Sequence, residues 1–158
     1  MTNKFIYKNM GNNNEYRPEQ MTVASILRED KVYSNFDVKT EYPVTGLTFE
    51  GRRYAAVLDI ALVPKKLVLK SIYHRTANKQ QCIAIRMMGQ IHEKQRKKLQ
   101  DADQAQALSN TGWFVHDIWY NQKYHEMYWN PEAYTKKELE NRLFGELRQY
   151  IYPEYLII

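Results

Sequence analysis

The sequence predicts an α/β protein of the α+β type, a mixed sheet of four or five strands flanked by helices in a single domain. Three observations predict it. A helix-spaced apolar pattern opens at Pro18, and runs rich in β-branched and aromatic residues follow between Tyr33 and Met88. Helical and strand patterns then alternate to the C-terminus. A chain of 158 residues fits one domain and is long enough to bury a core. Residues 1–17 read as a polar N-terminal arm, 18–120 as the core, and 121–158 as a C-terminal loop and helix packing on it.

Pro18 suits a first helical position, where its missing N–H has no partner to lose. Met21, Ala24 and Leu27 continue at helical spacing and predict a helix over 18–30. Tyr33 to Val38 alternates loosely, and Pro43 and Gly46 are expected to break the run from Tyr42 to Phe49. Glu50-Gly51 predicts a turn into 53–62, whose nearly continuous apolar run reads as the buried second strand of a hairpin. Strands are also expected at 67–73 and at 82–88, the latter ending at Gly89. Leu99, Ala102, Ala105 and Leu108 mark a long helix over 92–109, with Gly112 free to adopt the left-handed stop. Residues 113–119 read as a strand with Trp113 and Val115 on one face and Phe114 on the other. Thr135-Lys-Lys-Glu138 has the form of a capping box, and Leu139, Leu143 and Leu147 follow on one helical face.

Composition narrows the setting. One cysteine, Cys82, excludes an internal disulfide, and a reducing, intracellular compartment is expected: cytoplasm, or the interior of an organelle or virion. No run of about 18 apolar residues is present, so no membrane partner is expected. The excess of 23 Lys and Arg over 18 Asp and Glu gives a formal charge of +5, which suits a polyanionic partner. Thirteen tyrosines and three tryptophans suit interfaces and base stacking as well as ordinary packing. His74, His116 and His125 show no zinc-ligand spacing with Cys82 or with one another.

Several segments keep a common order: Gly51-Arg-Arg-Tyr, Leu58-Asp59-Ile-Ala-Leu, Ile83-Ala-Ile-Arg86-Met-Met88-Gly89-Gln-Ile-His92, Asp101-Ala-Asp103 to Leu108, and Gly112-Trp-Phe-Val. In this order the chain resembles the PD-(D/E)XK, or restriction-endonuclease-like, superfamily, in particular its very-short-patch-repair-type nucleases. The resemblance covers about residues 18–120 and is strongest from Gly89 to Val115. It implies a restriction-endonuclease-like sheet and a metal site in which carboxylates on neighbouring strands hold Mg²⁺ against a scissile phosphate. Asp59 matches the first carboxylate, as a vestigial ligand. Arg86 and Met88 stand where the resemblance implies Glu and Asp or Lys, and His92 completes the degenerate motif. Arg is always a cation and Met offers a soft thioether, so neither supplies the hard oxygen that Mg²⁺ binds. Placing the motif on Leu67-Val-Leu-Lys70 instead puts Val68 at a ligand position, and that register fails too.

The resemblance therefore implies a nucleic-acid-binding protein built on a degenerate nuclease fold, a pseudoenzyme without a metal cofactor. DNA or RNA is the expected partner, with Arg52, Arg53, Lys94, Arg96, Lys97 and Lys98 meeting phosphates and Arg86 adding a cation at the former metal site. Two alternatives stay open. One is an active Mg²⁺-dependent endonuclease whose ligands have migrated, using Asp59 with Glu41, Glu50 or Asp103. The other is a structural subunit of a larger protein assembly, in a phage or an organelle, that reuses the fold. Each residue also has a plain structural reading: Asp59 as a satisfied strand-end carboxylate, His92 as a helix cap, the Lys94–Lys98 run as a solvated face, and Trp113 and Trp119 as core.

Overall fold

A computed structural model describes residues 18–65, 81–89, 94–120 and 131–157. It contains helix α1 (Pro18–Glu29), strands β1 (Phe36–Phe49), β2 (Arg52–Pro64) and β3 (Ile83–Met88), helix α2 (Gln95–Asn110), strand β4 (Phe114–Trp119) and helix α3 (Lys136–Leu147). The strands form one mixed sheet in the order β1-β2-β3-β4. The first two pairings are antiparallel and β3 runs parallel to β4, with α2 as the crossover between them. The class is α+β, with four strands and three α-helices among the described residues. The strand expected at 67–73 lies outside them.

The sheet has a helix-covered core on each side. Val23, Ala24, Ile26 and Leu27 of α1 and Leu139, Leu143 and Leu147 of α3 pack with Ile60, Leu62, Ile83, Ile85, Met87 and Ile118. On the other side, Ala107 and Leu108 of α2 meet Leu47, Ala61 and Ala84, with Trp113 and Val115 against them. Every residue of β3 is buried, because odd positions face one core and even positions the other. Trp113 and Val115 do share a face, while Phe114 turns the other way towards Tyr150, 6.0 Å between ring centroids. Trp113 is only half-buried and lies 6.0 Å from the ring of Tyr42.

The expected break in β1 does not occur. Pro43 sits inside the strand opposite Val57, and it is tolerated because β1 is an edge strand among the described residues, where an outer N–H has no ladder to complete. Gly46, at φ 74°, lies where the register shifts between Val44 and Leu47, so it forms a bulge rather than an end. The Glu50-Gly51 turn is as expected. Both residues have positive φ, 49° and 77°, which is the mirror-type turn that matches strand twist in a two-residue hairpin.

The capping box is also present: the Thr135 hydroxyl accepts from the Glu138 N–H, and Glu138 accepts from the Thr135 N–H. The C-terminal segment packs on the chain's own core. Tyr155 is fully buried, Asn35 Nδ2 donates to its carbonyl at 3.0 Å, and the Ile157 N–H donates to Val32. Buried Gln81 clamps the same segment, donating to the Tyr150 carbonyl and accepting from the Tyr152 N–H.

Thr135→Ala removes one half of the capping box and is expected to lower stability by about 1 kcal/mol in a urea titration. Trp113→Ala is expected to cost about 1–3 kcal/mol, below the range for a fully buried aromatic, because part of the ring already meets water. A loss near the full-burial range would show that Trp113 is more enclosed than its half-buried position indicates.

Candidate nucleic-acid interface

The β2–β3 ladder spans only Ile60–Leu62 against Ile83–Ile85. One residue further on, the strands part, and the side chain of Asp59 takes over: its Oδ2 accepts the Met87 N–H at 2.8 Å. Asp59 thus satisfies a backbone donor that the ladder leaves behind. Met88 is buried, its thioether part of the interior rather than of a ligand set. Gly89 follows at a close approach, since a Cβ there would stand 2.7 Å from the Tyr120 hydroxyl. His92 lies outside the described residues.

Arg86 corrects an expectation. It is not a cation open to phosphate but a buried one, 7% exposed, with an internal carboxylate. Nε and Nη2 donate to the two oxygens of Asp117 at 2.6 and 2.9 Å, a fork-to-fork pair. Nη1 donates to the Asp101 carbonyl at 2.8 Å and to Gln104 Oε1 at 3.3 Å. The parallel register makes Arg86 and Asp117 cross-strand partners, so the sheet itself delivers the counter-charge. Even positions of β3 face α2, which is why the guanidinium also reaches the α2 backbone. Asp117 and Gln104 were not among the expected residues; only the β3–β4 register would have singled out Asp117.

The cations of α2 are arranged differently. Lys94, Arg96 and Lys98 are exposed and form no ion pair among the described residues. Lys97 is half-buried and lies 3.7 Å from the Asp101 carboxylate, one turn along the helix. Lys94 occupies the N-cap position without a side-chain bond, and the first turn holds no acidic residue. Four cations therefore surround the positive end of a helix dipole, an arrangement that favours an anion. Arg52 and Arg53 are exposed on β2 beside the hairpin turn, and no hydrogen bond or ion pair joins them to α2 among the described residues.

Of the carboxylates considered as migrated ligands, Glu41 lies across from Asp59 on β1, between the Thr40–Ile60 and Tyr42–Leu58 pairs. Glu41, at φ 48°, accepts from Gln20 at 3.2 Å; Glu50 is in the hairpin turn; Asp103 is on α2. Among the described residues, no group of three or more His, Cys, Asp or Glu side chains is placed to hold a metal ion.

A second polar network joins β4 to α3. His116 Nδ1 lies 3.1 Å from the Tyr150 hydroxyl, and Nε2 lies 3.2 Å from Glu146 Oε2. The tautomer carrying its proton on Nε2 satisfies both contacts. Arg142 Nε donates to the other Glu146 oxygen at 3.1 Å, and its Nη1 donates to the Tyr134 hydroxyl at 3.0 Å. Burial pushes the Tyr150 hydroxyl up from its ordinary pKa, and the nearby Asp117 and Glu146 charges push it further. It stays a neutral hydroxyl at physiological pH and fits the role of a strut rather than a nucleophile. Burial also raises the Cys82 thiol to about 11, so it is protonated at neutral pH.

No helix among the described residues is long and apolar enough to cross a membrane. Comparison with protein-family models, with curated proteins and with solved structures found no match for this chain.

Asp117→Ala leaves the Arg86 guanidinium buried and uncompensated. It is expected to lower stability by about 2–4 kcal/mol, slightly under the usual range because Asp117 is 28% exposed. Arg86→Met combined with Asp117→Leu should recover most of that loss. Additive losses across Arg86→Met, Asp117→Leu and their combination would show that the two side chains are not coupled.

Proposed function

We propose that the protein binds nucleic acid through the phosphate backbone, on a catalytically degenerate PD-(D/E)XK fold. The observation that carries this reading is the group of exposed α2 cations, Lys94, Arg96 and Lys98, without ion-pair partners among the described residues. Exposed cations around the dipole-positive end of a helix suit phosphates, whose condensed counterions they release. The chain's formal charge of +5 acts in the same direction. The order of helix, antiparallel hairpin, third strand, crossover helix and parallel fourth strand supports the nuclease-like scaffold. So does the place of Asp59 and Arg86, side by side where β2 and β3 part.

Arg86 acts in this reading as scaffold, holding α2 to the sheet with its cationic turn outward. Lys94, Arg96 and Lys98 make the phosphate contacts, with Lys97 a weaker contributor because Asp101 shares its charge. Arg52 and Arg53 extend the basic surface on the hairpin. Such contacts position the protein on DNA or RNA but carry no base information.

A salt titration of binding tests this. Lys94→Ala with Lys98→Ala is expected to reduce the log–log salt slope on duplex DNA by about 2 units, and Lys97→Ala by less than 1. Unrelated sequences should weaken alike. If the wild type binds neither DNA nor RNA, single- or double-stranded, at low salt, the basic turn is a solvated face and an assembly role takes precedence. Metal-dependent cleavage that disappears in Asp59→Ala would overturn the degenerate reading of the site.

A further inference from the structure

Between the Thr40–Ile60 and Tyr42–Leu58 pairs the β1–β2 hairpin changes face. Leu58 packs in the core beneath α2 and Ile60 in the core beneath α1 and α3, although strict alternation would put both on one side. The opposite strand makes the same change, with Val38 against the α1 and α3 core and Tyr42 against the α2 core. Glu41, at φ 48°, absorbs the change in the backbone, and Asp59 stands across from it. Two carboxylates are thereby set at one crossing, exposed Glu41 and half-buried Asp59.

Helix α1 adds a buried amide to them. Gln20 is 5% exposed, and its Nε2 donates to Glu41 Oε1 at 3.2 Å. That contact fixes the orientation of the amide, because turning it over would press its carbonyl oxygen against a carboxylate. Gln20 Oε1 is then enclosed in the interior with no hydrogen-bond partner. It belongs to the same small planar group that touches Glu41, so it lies beside that carboxylate. A buried carbonyl oxygen left without a donor is costly, and native structures seldom leave one so. A positive centre shared with the neighbouring carboxylate removes that cost.

We propose that Gln20 Oε1, Glu41 and Asp59 form a binding site for a hard divalent cation of the Mg²⁺ or Ca²⁺ kind. An amide carbonyl and carboxylates are the oxygen ligands such ions take, and exposed Glu41 leaves room for water to complete the shell. Asp59 is held in place by the Met87 N–H on its Oδ2, whereas Glu41 is the ligand open to solvent. The ion ties α1 to the hairpin where both strands change face. It uses no ligand from β3, whose Arg86 has its own counter-charge in Asp117. The site stands on Gln20 and is independent of the nucleic-acid reading.

Isothermal titration calorimetry of the chelator-treated full chain measures Ca²⁺ and Mg²⁺ separately, and loss of the free Mn²⁺ electron paramagnetic resonance signal gives a second isotherm. One saturable site per chain is expected, and the tighter of the Ca²⁺ and Mg²⁺ arms identifies the ion. Glu41→Gln is expected to weaken binding by about tenfold and Gln20→Glu to tighten it by about tenfold, because the number of charged ligands sets affinity. The tightening separates a ligand from a merely structural amide, for which an added charge beside Glu41 brings only repulsion. Circular dichroism checks that each variant is folded. Should Gln20→Glu fail to fold, Glu41→Gln decides, since its position is exposed and its shape is kept. No saturable binding of any of the three ions up to about 1 mM, the weak end of protein Ca²⁺ sites, would overturn the proposal. Binding at wild-type affinity in Glu41→Gln would overturn it as well. Either result leaves the nucleic-acid reading to its own salt titration.

Discussion

A guanidinium buried at the end of β3 is the constraint from which much of the architecture follows. Taking Arg86 out of water is costly, and that cost is tolerable only if nearly all its donors are matched. Asp117 supplies two acceptors across the parallel strand pair, and α2 supplies a carbonyl and an amide oxygen. The β3–β4 register and the seat of α2 on the sheet are therefore tied to one side chain. A slip of one residue in either strand would face Asp117 away and leave a charge stranded in the interior. Apolar packing alone would specify α2 poorly, because the helix offers this side of the sheet little beyond Ala107 and Leu108.

The division of charge within the chain follows from the same arrangement. One cation has been taken inside and neutralised, whereas those one helical turn ahead of its anchor are left to solvent. Asp101 stands at the boundary, its carbonyl turned to Arg86 and its carboxylate near Lys97. On the opposite face the polar work is done by His116, Glu146, Arg142 and Tyr134, which tie β4 to α3 without placing a free charge in the core. Both faces of β4 thus use polar networks where the apolar cores thin out. This gives the edge of the sheet a defined partner on each side.

Features governed by local chemistry were legible in the amino acids. The α3 capping box, the left-handed Gly112 after α2, the Glu50-Gly51 turn and the alternation around Trp113 all rest on rules spanning a few residues. Features set by distant strands were not. Pro43 reads as a breaker until β1 is known to be an edge, and Gly46 reads as an end until the partner strand shows a bulge. Arg86 reads as an open cation because its partner lies 31 residues away, and only the parallel pairing of β3 with β4 joins them. The His116 network was missed for the same reason, although its Arg142–Glu146 pair lies at readable helical spacing. His92 and the strand expected at 67–73 fall outside the described residues.

The interruptions in β1 have a meaning beyond the fold of one molecule. A fourteen-residue strand at the margin of a sheet presents a long template of backbone donors and acceptors to any other extended chain. Here Pro43 deletes a donor partway along it, and the bulge at Gly46 twists the remainder out of line. Near its other end, the Val38 carbonyl is already occupied by two donors from Arg28. Among the described residues, β1 keeps no long uninterrupted stretch on which a foreign strand could zip up. The residues that look like flaws in a strand thereby protect a crowded solution of this protein against fibrous self-association.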